Sequence, residues 1–275
     1  MSEGTRKRRW LSIVFVTVLL WGCTENEPQV LYIVGNQSVD TSTQCKLQST
    51  GIVTFKPFGY LDVSLTNTYL LFPAMTTKLT DTTIVTGNGP SELVLDTSTI
   101  QILGARISYD LPIDPLTGTG LGFLDNPLAP GTGLTSSDPL ESAGLQDNFV
   151  FTTGTVDPET DALLALEAVP PYIGEILRAA PALQARYSSA QIIVHVTVEG
   201  KLMDGTKVVS NEFIYPLNVC NGCLVYFPVS DCSNLEGDPE IIVPCFPGQD
   251  DGLDCRLCYA LAVTADDAHA CFPPE

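Results

Sequence analysis

The chain has 275 residues, 44% of them hydrophobic and 16% charged, with 32 acidic against 13 basic side chains and a net charge of −19. This length supports a substantial core, and the apolar content excludes a disordered polyelectrolyte. The charge excludes nucleic acid as a partner, because such a surface repels phosphate. With only two histidines, imidazole catalysis and metal chemistry have few possible centres.

At the N-terminus, Arg6-Lys7-Arg8-Arg9 precedes 13 mostly apolar residues, Trp10 to Gly22, and then Cys23. Spanning a bilayer takes about 20 apolar residues, so the run fits the hydrophobic region of a signal peptide. The basic cluster holds the N-terminus on the cytoplasmic side while the following chain is exported. The segment Leu20-Trp21-Gly22-Cys23 resembles the lipobox of bacterial lipoproteins. The resemblance covers residues 1–23 and specifies an address. It implies cleavage before Cys23 and a diacylglyceryl thioether on its sulfur, commonly with a further N-acyl chain, and two or more acyl chains make a stable anchor. Thr24 stands at the second mature position, where Asp resembles an inner-membrane retention signal, so the outer membrane is favoured. Removing residues 1–22 takes away four bases and one acid and leaves 9 basic and 31 acidic residues, a net of −22. Anionic lipid repels such a polypeptide, so the membrane partner is reached through the lipid anchor. Residues 23–29 form a short polar tether.

From Val30 to Val219 the dominant pattern is alternation with period two, broken by Gly, Pro, Asn and Asp. Expected strands are Val30–Val34, Ile52–Phe55, Tyr69–Phe72, Thr82–Val85, Glu92–Leu95, Ile100–Tyr109 and Asn148–Thr153. Leu61, Val63 and Leu65 alternate with Asp62, Ser64 and Thr66. Ile192, Val194, Val196 and Val198 alternate with Ile193, His195, Thr197 and Glu199. Asp204-Gly205 then separates that run from a second one, Lys207–Val219, which is a hairpin signal. Residues 112–147 form an unusually long Gly-, Pro-, Ser- and Thr-rich connection. Its Gly118-Thr-Gly120-Leu-Gly122 lacks the spacing and the following helix of a phosphate loop. A helical insertion is expected over 158–180. Asp157-Pro158 reads as a cap and first helical residue, Leu163, Leu166 and Val169 recur at helical spacing, Pro170-Pro171 ends that helix, and Tyr172–Ala180 makes a second.

Besides Cys23 there are eight cysteines: Cys45, Cys220, Cys223, Cys232, Cys245, Cys255, Cys258 and Cys271. In an oxidising compartment an even number reads as disulfides. Seven of the eight follow residue 219, an odd number, so full pairing requires Cys45 to bond to the tail across at least 175 residues. Eight cysteines admit about 105 pairings, among which the sequence does not choose. Residues 220–275 thus read as an acidic Cys-rich module in which bridges replace a large core.

The alternatives are metal or enzyme readings. Cys220-Asn-Gly-Cys223 with Cys255-Arg-Leu-Cys258 has the spacing of a four-thiolate zinc site, although export and four competing cysteines favour bridges. A redox CxxC is the other reading, without a thioredoxin-like pattern around it. Asp250, Asp251 and Asp254, with Asp238 and Glu240, form the calcium candidate. Asp157, Glu159 and Asp161 begin like a calcium loop, but Ala162 and Ala168 stand where Gly and Glu belong. His195 and His269 belong to no HExxH motif, and no GxSxG is present.

The expectation is a mainly β protein. An antiparallel β-sandwich, immunoglobulin-like in strand number and spacing, occupies 30–219, and the Cys-rich module follows it. The chain is expected to be a lipid-anchored cell-envelope protein with a non-enzymatic binding or structural role and no cofactor. Its protein or carbohydrate partner is not specified. The runners-up are an envelope hydrolase using carboxylates or His195, and a zinc- or calcium-binding tail.

Overall fold

A computed structural model describes residues 29–39, 45–47, 54–80, 83–86, 93–96, 98–110, 148–180, 183–228, 232, 243–261 and 271. The signal segment, Cys23, the connection 112–147, Asp238, Glu240 and His269 lie outside the described residues. Among the described residues no helix is long and apolar enough to cross a membrane.

The protein is mainly β. In chain order the strands are β1 (Leu31–Gln37), β2 (Phe55–Lys56), β3 (Gly59–Asp62), β4 (Tyr69–Leu71), β5 (Pro73–Thr77), β6 (Thr83–Thr86), β7 (Leu93–Asp96), β8 (Ile100–Asp110) and β9 (Asn148–Val156). They continue as β10 (Ala162–Leu163), β11 (Leu166–Val169), β12 (Ser189–Leu202), β13 (Lys207–Val209), β14 (Phe213–Cys220), β15 (Val225–Tyr226) and β16 (Leu253–Asp254). Helix α1 spans Pro171–Ala179 and α2 spans Cys255–Leu261.

Two layers enclose the core. One is the sheet β10-β5-β1-β2, accompanied by the pair β11-β4. The other has the order β3-β14-β12-β8-β9, with β13 also on β12, and all its pairs are antiparallel except β14–β3. Strand β12 shows why the layers close. Its even-numbered residues Ile192, Val194, Val196 and Val198 are all at most 1% exposed, and a strand sends alternate side chains to one face. Each contributes about 1.5–3 kcal/mol relative to exposure. They meet Leu31, Ile33, Leu71 and Met75 of the facing layer in one continuous core.

On β8 the inward set changes from even (Ile100, Ile102) to odd (Ala105, Ile107, Tyr109). Against β12, Ile102 stands opposite Gly200 and Gly104 opposite Glu199, so Leu103 is an extra residue on β8, and such an extra residue moves the alternation to the other parity. Gly104 is required there, because a Cβ would stand 2.6 Å from both the Phe149 ring and the Val150 carbonyl. The Asp204-Gly205 turn forms as expected: β12 pairs with β13 from Lys201↔Lys207, Asp204 Oδ1 accepts the Thr206 N–H at 2.7 Å, and Gly205 adopts φ +93°.

The helical insertion is shorter than expected. Residues 158–169 contain no helix. Leu163 pairs with Ala74 in β10–β5, and Leu166 pairs with Leu71 in β11–β4. Leu164, Leu166 and Ala168 are buried at every second position, so the same residues carry a strand pattern beside the helical spacing, and pairing with two available edges decides between them. Asp157 caps no helix. It accepts the Thr99 hydroxyl at 2.8 Å, and its carbonyl accepts the Thr160 hydroxyl at 2.9 Å. The second helix is present, with Pro171 opening it as its first residue. Strand β5 was not expected from sequence. Only Phe72 separates it from β4, and the two strands pair with different partners.

The C-terminal region has its own small core of Val225, Leu253 and the sulfurs of Cys232, Cys255, Cys258 and Cys271. It is also tied to the sandwich. Gln249 receives the Leu70 N–H at 2.9 Å and donates to the Leu70 carbonyl at 2.7 Å, and the Phe72 and Phe246 rings lie 5.4 Å apart.

Candidate functional site

All eight expected cysteines form bridges: Cys45–Cys245, Cys220–Cys223, Cys232–Cys255 and Cys258–Cys271. Cys45 does reach the tail, across a sequence separation of 200. Cys255 and Cys258 sit on α2 and bridge in opposite directions, so the two CxxC pairs do not converge on one site. The structure brings together a different group, the carboxylate of Asp62 and the sulfurs of Cys220 and Cys223, within 4.8 Å of one another. Both sulfurs are committed to their bridge, which leaves no thiolate to ligate a metal there.

The position of Asp62 follows from the local chain. It ends β3, which pairs in parallel with β14 so that Asp62 lies opposite Cys220. The chain then turns, with the Leu65 and Thr66 N–H groups donating to the Asp62 carbonyl at 3.0 Å. The side chain is fully buried. Oδ1 accepts the Ser64 hydroxyl at 2.6 Å, the Ser64 N–H at 3.1 Å and the Gly222 N–H at 2.7 Å, and Oδ2 accepts the Leu224 N–H at 2.9 Å. A buried carboxylate is tolerated when donors surround it in this way. Gly222 has φ +77°, and the Cys-Asn-Gly-Cys turn wraps its amides onto the carboxylate. The sequence reading placed Asp62 on the polar side of an alternating strand and missed it. The available signal was the Asp-Val-Ser step, which favours a side-chain-capped turn.

A second buried polar group joins the layers. The Tyr69 and Tyr215 hydroxyls lie 3.1 Å apart, Asn36 donates to Tyr215 at 3.1 Å, and Tyr69 donates to Asp250 at 3.0 Å. Asp250 also accepts the Tyr60 N–H at 2.8 Å and faces Lys56 Nζ at 3.4 Å. Two of the calcium-candidate acids are therefore engaged inside the protein: Asp250 here, and Asp254 in a salt bridge with Arg256 at 2.8 Å. Asp251 lies 3.8 Å from Lys56.

Burial, reinforced by the Asp250 charge, holds the Tyr69 phenol far above the usual range. Burial likewise pushes Tyr215 up to about 12. Unfolded tyrosine ionises near pH ~10. The stability these neutral phenols contribute is full below about pH 10 and is lost as pH rises through the folded-state value of about 12. A tyrosinate absorbance titration is expected to show Tyr69 and Tyr215 ionising only together with loss of the β circular dichroism signal. Ionisation of every tyrosine at its ordinary value in a folded chain would contradict this.

His195 projects from the outer face of β12. Its Nδ1 lies 2.9 Å from Glu212 and its Nε2 lies 3.0 Å from Asp110. Both ring nitrogens thus face carboxylates, and among the described hydrogen bonds neither meets a hydroxyl. The ring thus links Asp110, at the end of β8, with Glu212, just before β14.

Compared with protein-family models and with curated proteins, the chain matches none.

Proposed function

We propose that the chain is a membrane-anchored cell-envelope lipoprotein, held through lipid on Cys23, whose β-sandwich serves a non-catalytic binding or structural role, with the outer membrane as the favoured site. The observation that supports this most is the division of its sulfurs. Four bridges use eight of the nine cysteines, and the remaining one is Cys23, in the segment that resembles a lipobox. Bridged cysteines suit an oxidising compartment, and a net −22 mature surface gives the polypeptide no attraction of its own for anionic lipid.

The test is metabolic labelling with radioactive palmitate. Label is expected in the wild-type chain, with the protein in the membrane fraction. Cys23→Ala is expected to lose both the label and the membrane association. Label retained by Cys23→Ala would overturn the reading.

A further inference from the structure

We propose that the Cys220–Cys223 bridge is a thiol–disulfide exchange centre whose substrate is a dithiol. Cys223 is the sulfur attacked from solvent, Cys220 is the buried resolving sulfur, and Asp62 is the proton acceptor beside them. This would add a chemical step to a chain otherwise read as binding or structural, and it does not depend on how the chain is anchored.

Three observations separate this bridge from the others. The first is exposure. Cys220 is 1% exposed, whereas Cys223 faces solvent. In contrast, Cys232, Cys255, Cys258 and Cys271 are all buried to 1% or less, and in Cys45–Cys245, with Cys45 exposed and Cys245 half-buried, neither sulfur is shielded. An exchange centre needs one sulfur within reach of an attacking thiolate and one shielded from it.

The second is loop size. The partners are three residues apart, against separations of 13, 23 and 200 in the other bridges. A small loop constrains the unfolded chain least, so folding does least to hold this bridge closed. It is the one that opens without dismantling the protein.

The third is the carboxylate. One Asp62 oxygen lies within 4.8 Å of both sulfurs. The carboxylate accepts four hydrogen bonds in all, three at Oδ1 and one at Oδ2. The Gly222 and Leu224 amides bind Asp62 without involving either sulfur. The turn is therefore held in its closing geometry after the bridge opens. Arg186 lies along the same turn, its Nε 3.7 Å from where a Cβ on Gly222 would stand. Its guanidinium lies over the Tyr187 and Phe227 rings, 5.1 and 5.7 Å from their centroids.

A thiolate of the incoming dithiol attacks Cys223 Sγ, the sulfur–sulfur bond breaks, and the electron pair leaves on Cys220 Sγ, which takes up a proton. The second thiol of the reagent, deprotonated, then attacks its own partner sulfur in the mixed disulfide. The reagent closes to a cyclic disulfide and Cys223 is released as thiolate. Two electrons pass to the bridge; of the two protons shed by the reagent, one goes to Cys220 and the other to solvent, with Cys223 left as the thiolate. In the reverse direction Cys223 attacks the partner's disulfide. The Cys220 thiol gives its proton to Asp62 and attacks Cys223, which restores the bridge and releases the partner's thiol.

The test uses the purified full chain in graded mixtures of reduced and oxidised dithiothreitol, followed by alkylation and peptide mapping. Cys220 and Cys223 are expected to become alkylated at a reductant ratio on the order of tenfold lower than any other pair, with circular dichroism unchanged. In Cys220→Ser, glutathione disulfide is expected to cap Cys223. Asp62→Asn should slow reoxidation of the reduced protein by on the order of tenfold or more, with Asp62→Glu restoring part of the rate. The dithiothreitol series and the Cys220→Ser capping decide the matter even where Asp62→Asn fails to fold. Opening of Cys220–Cys223 only together with the other bridges, or only on unfolding, would overturn the proposal. An unchanged reoxidation rate in folded Asp62→Asn would do the same.

Discussion

Replacing Cys45 and Cys245 together by serine is expected to lower stability by about 5 kcal/mol. That corresponds to a fall in melting temperature on the order of 10–20 °C for a chain of this size. The bridge joins residues 200 apart. Without it the unfolded chain recovers the freedom of a very long loop, whereas the folded chain loses little packing, because Cys45 is exposed and Cys245 is half-buried. The same substitution at Cys258 and Cys271, with a separation of 13, is expected to lower stability by about 3 kcal/mol through loop entropy alone, although its buried sulfurs add a packing loss. Thermal unfolding of both double variants checks this. A Cys45/Cys245 variant that melts with the wild type would defeat the prediction and would mean that the tail is already held by Gln249 and Asp250.

Asp62→Ala is expected to be the most damaging single substitution in the sandwich, at about 3–5 kcal/mol. It removes the acceptor of four hydrogen bonds and strands the Gly222 and Leu224 amides, and a buried donor left without a partner costs about 1–3 kcal/mol. The cavity left by the carboxylate adds to this. Urea unfolding measures the effect, with Asp204→Ala as the comparison. Asp204 also accepts an amide, from Thr206, but in an exposed turn, so its loss should be well under half as large. Equal losses at the two positions would show that the burial of Asp62 contributes nothing.

These two predictions also mark what local reading of the chain reaches. Strand β12 was legible because one face is uniformly β-branched and the other is mixed. The Asp204-Gly205 turn was legible because only a glycine accepts its φ of +93°. The attachment of Cys45 to the tail followed from parity alone, but its partner did not, since the choice of Cys245 depends on how the tail folds back. Residues 162–169 were misread because Leu163, Leu166 and Val169 fit a helix while Leu164, Leu166 and Ala168 fit a strand. That conflict is resolved only by the edges of β4 and β5, which lie far away in sequence. The same holds for the candidate site. Asp62 and Cys220 are brought together by a parallel pairing of β3 with β14, and Tyr69 meets Asp250 across 181 residues. Period and spacing report which face of an element is buried, but not which distant residue that face will meet.

The proposed export would commit eight sulfurs to one another and the ninth to lipid. A peptide map of the native protein under non-reducing conditions tests this most directly. It should contain the linked peptides Cys45–Cys245, Cys220–Cys223, Cys232–Cys255 and Cys258–Cys271, together with an acylated N-terminal peptide beginning at Cys23. A chain that retains residues 1–22 and carries its cysteines as free thiols would contradict it.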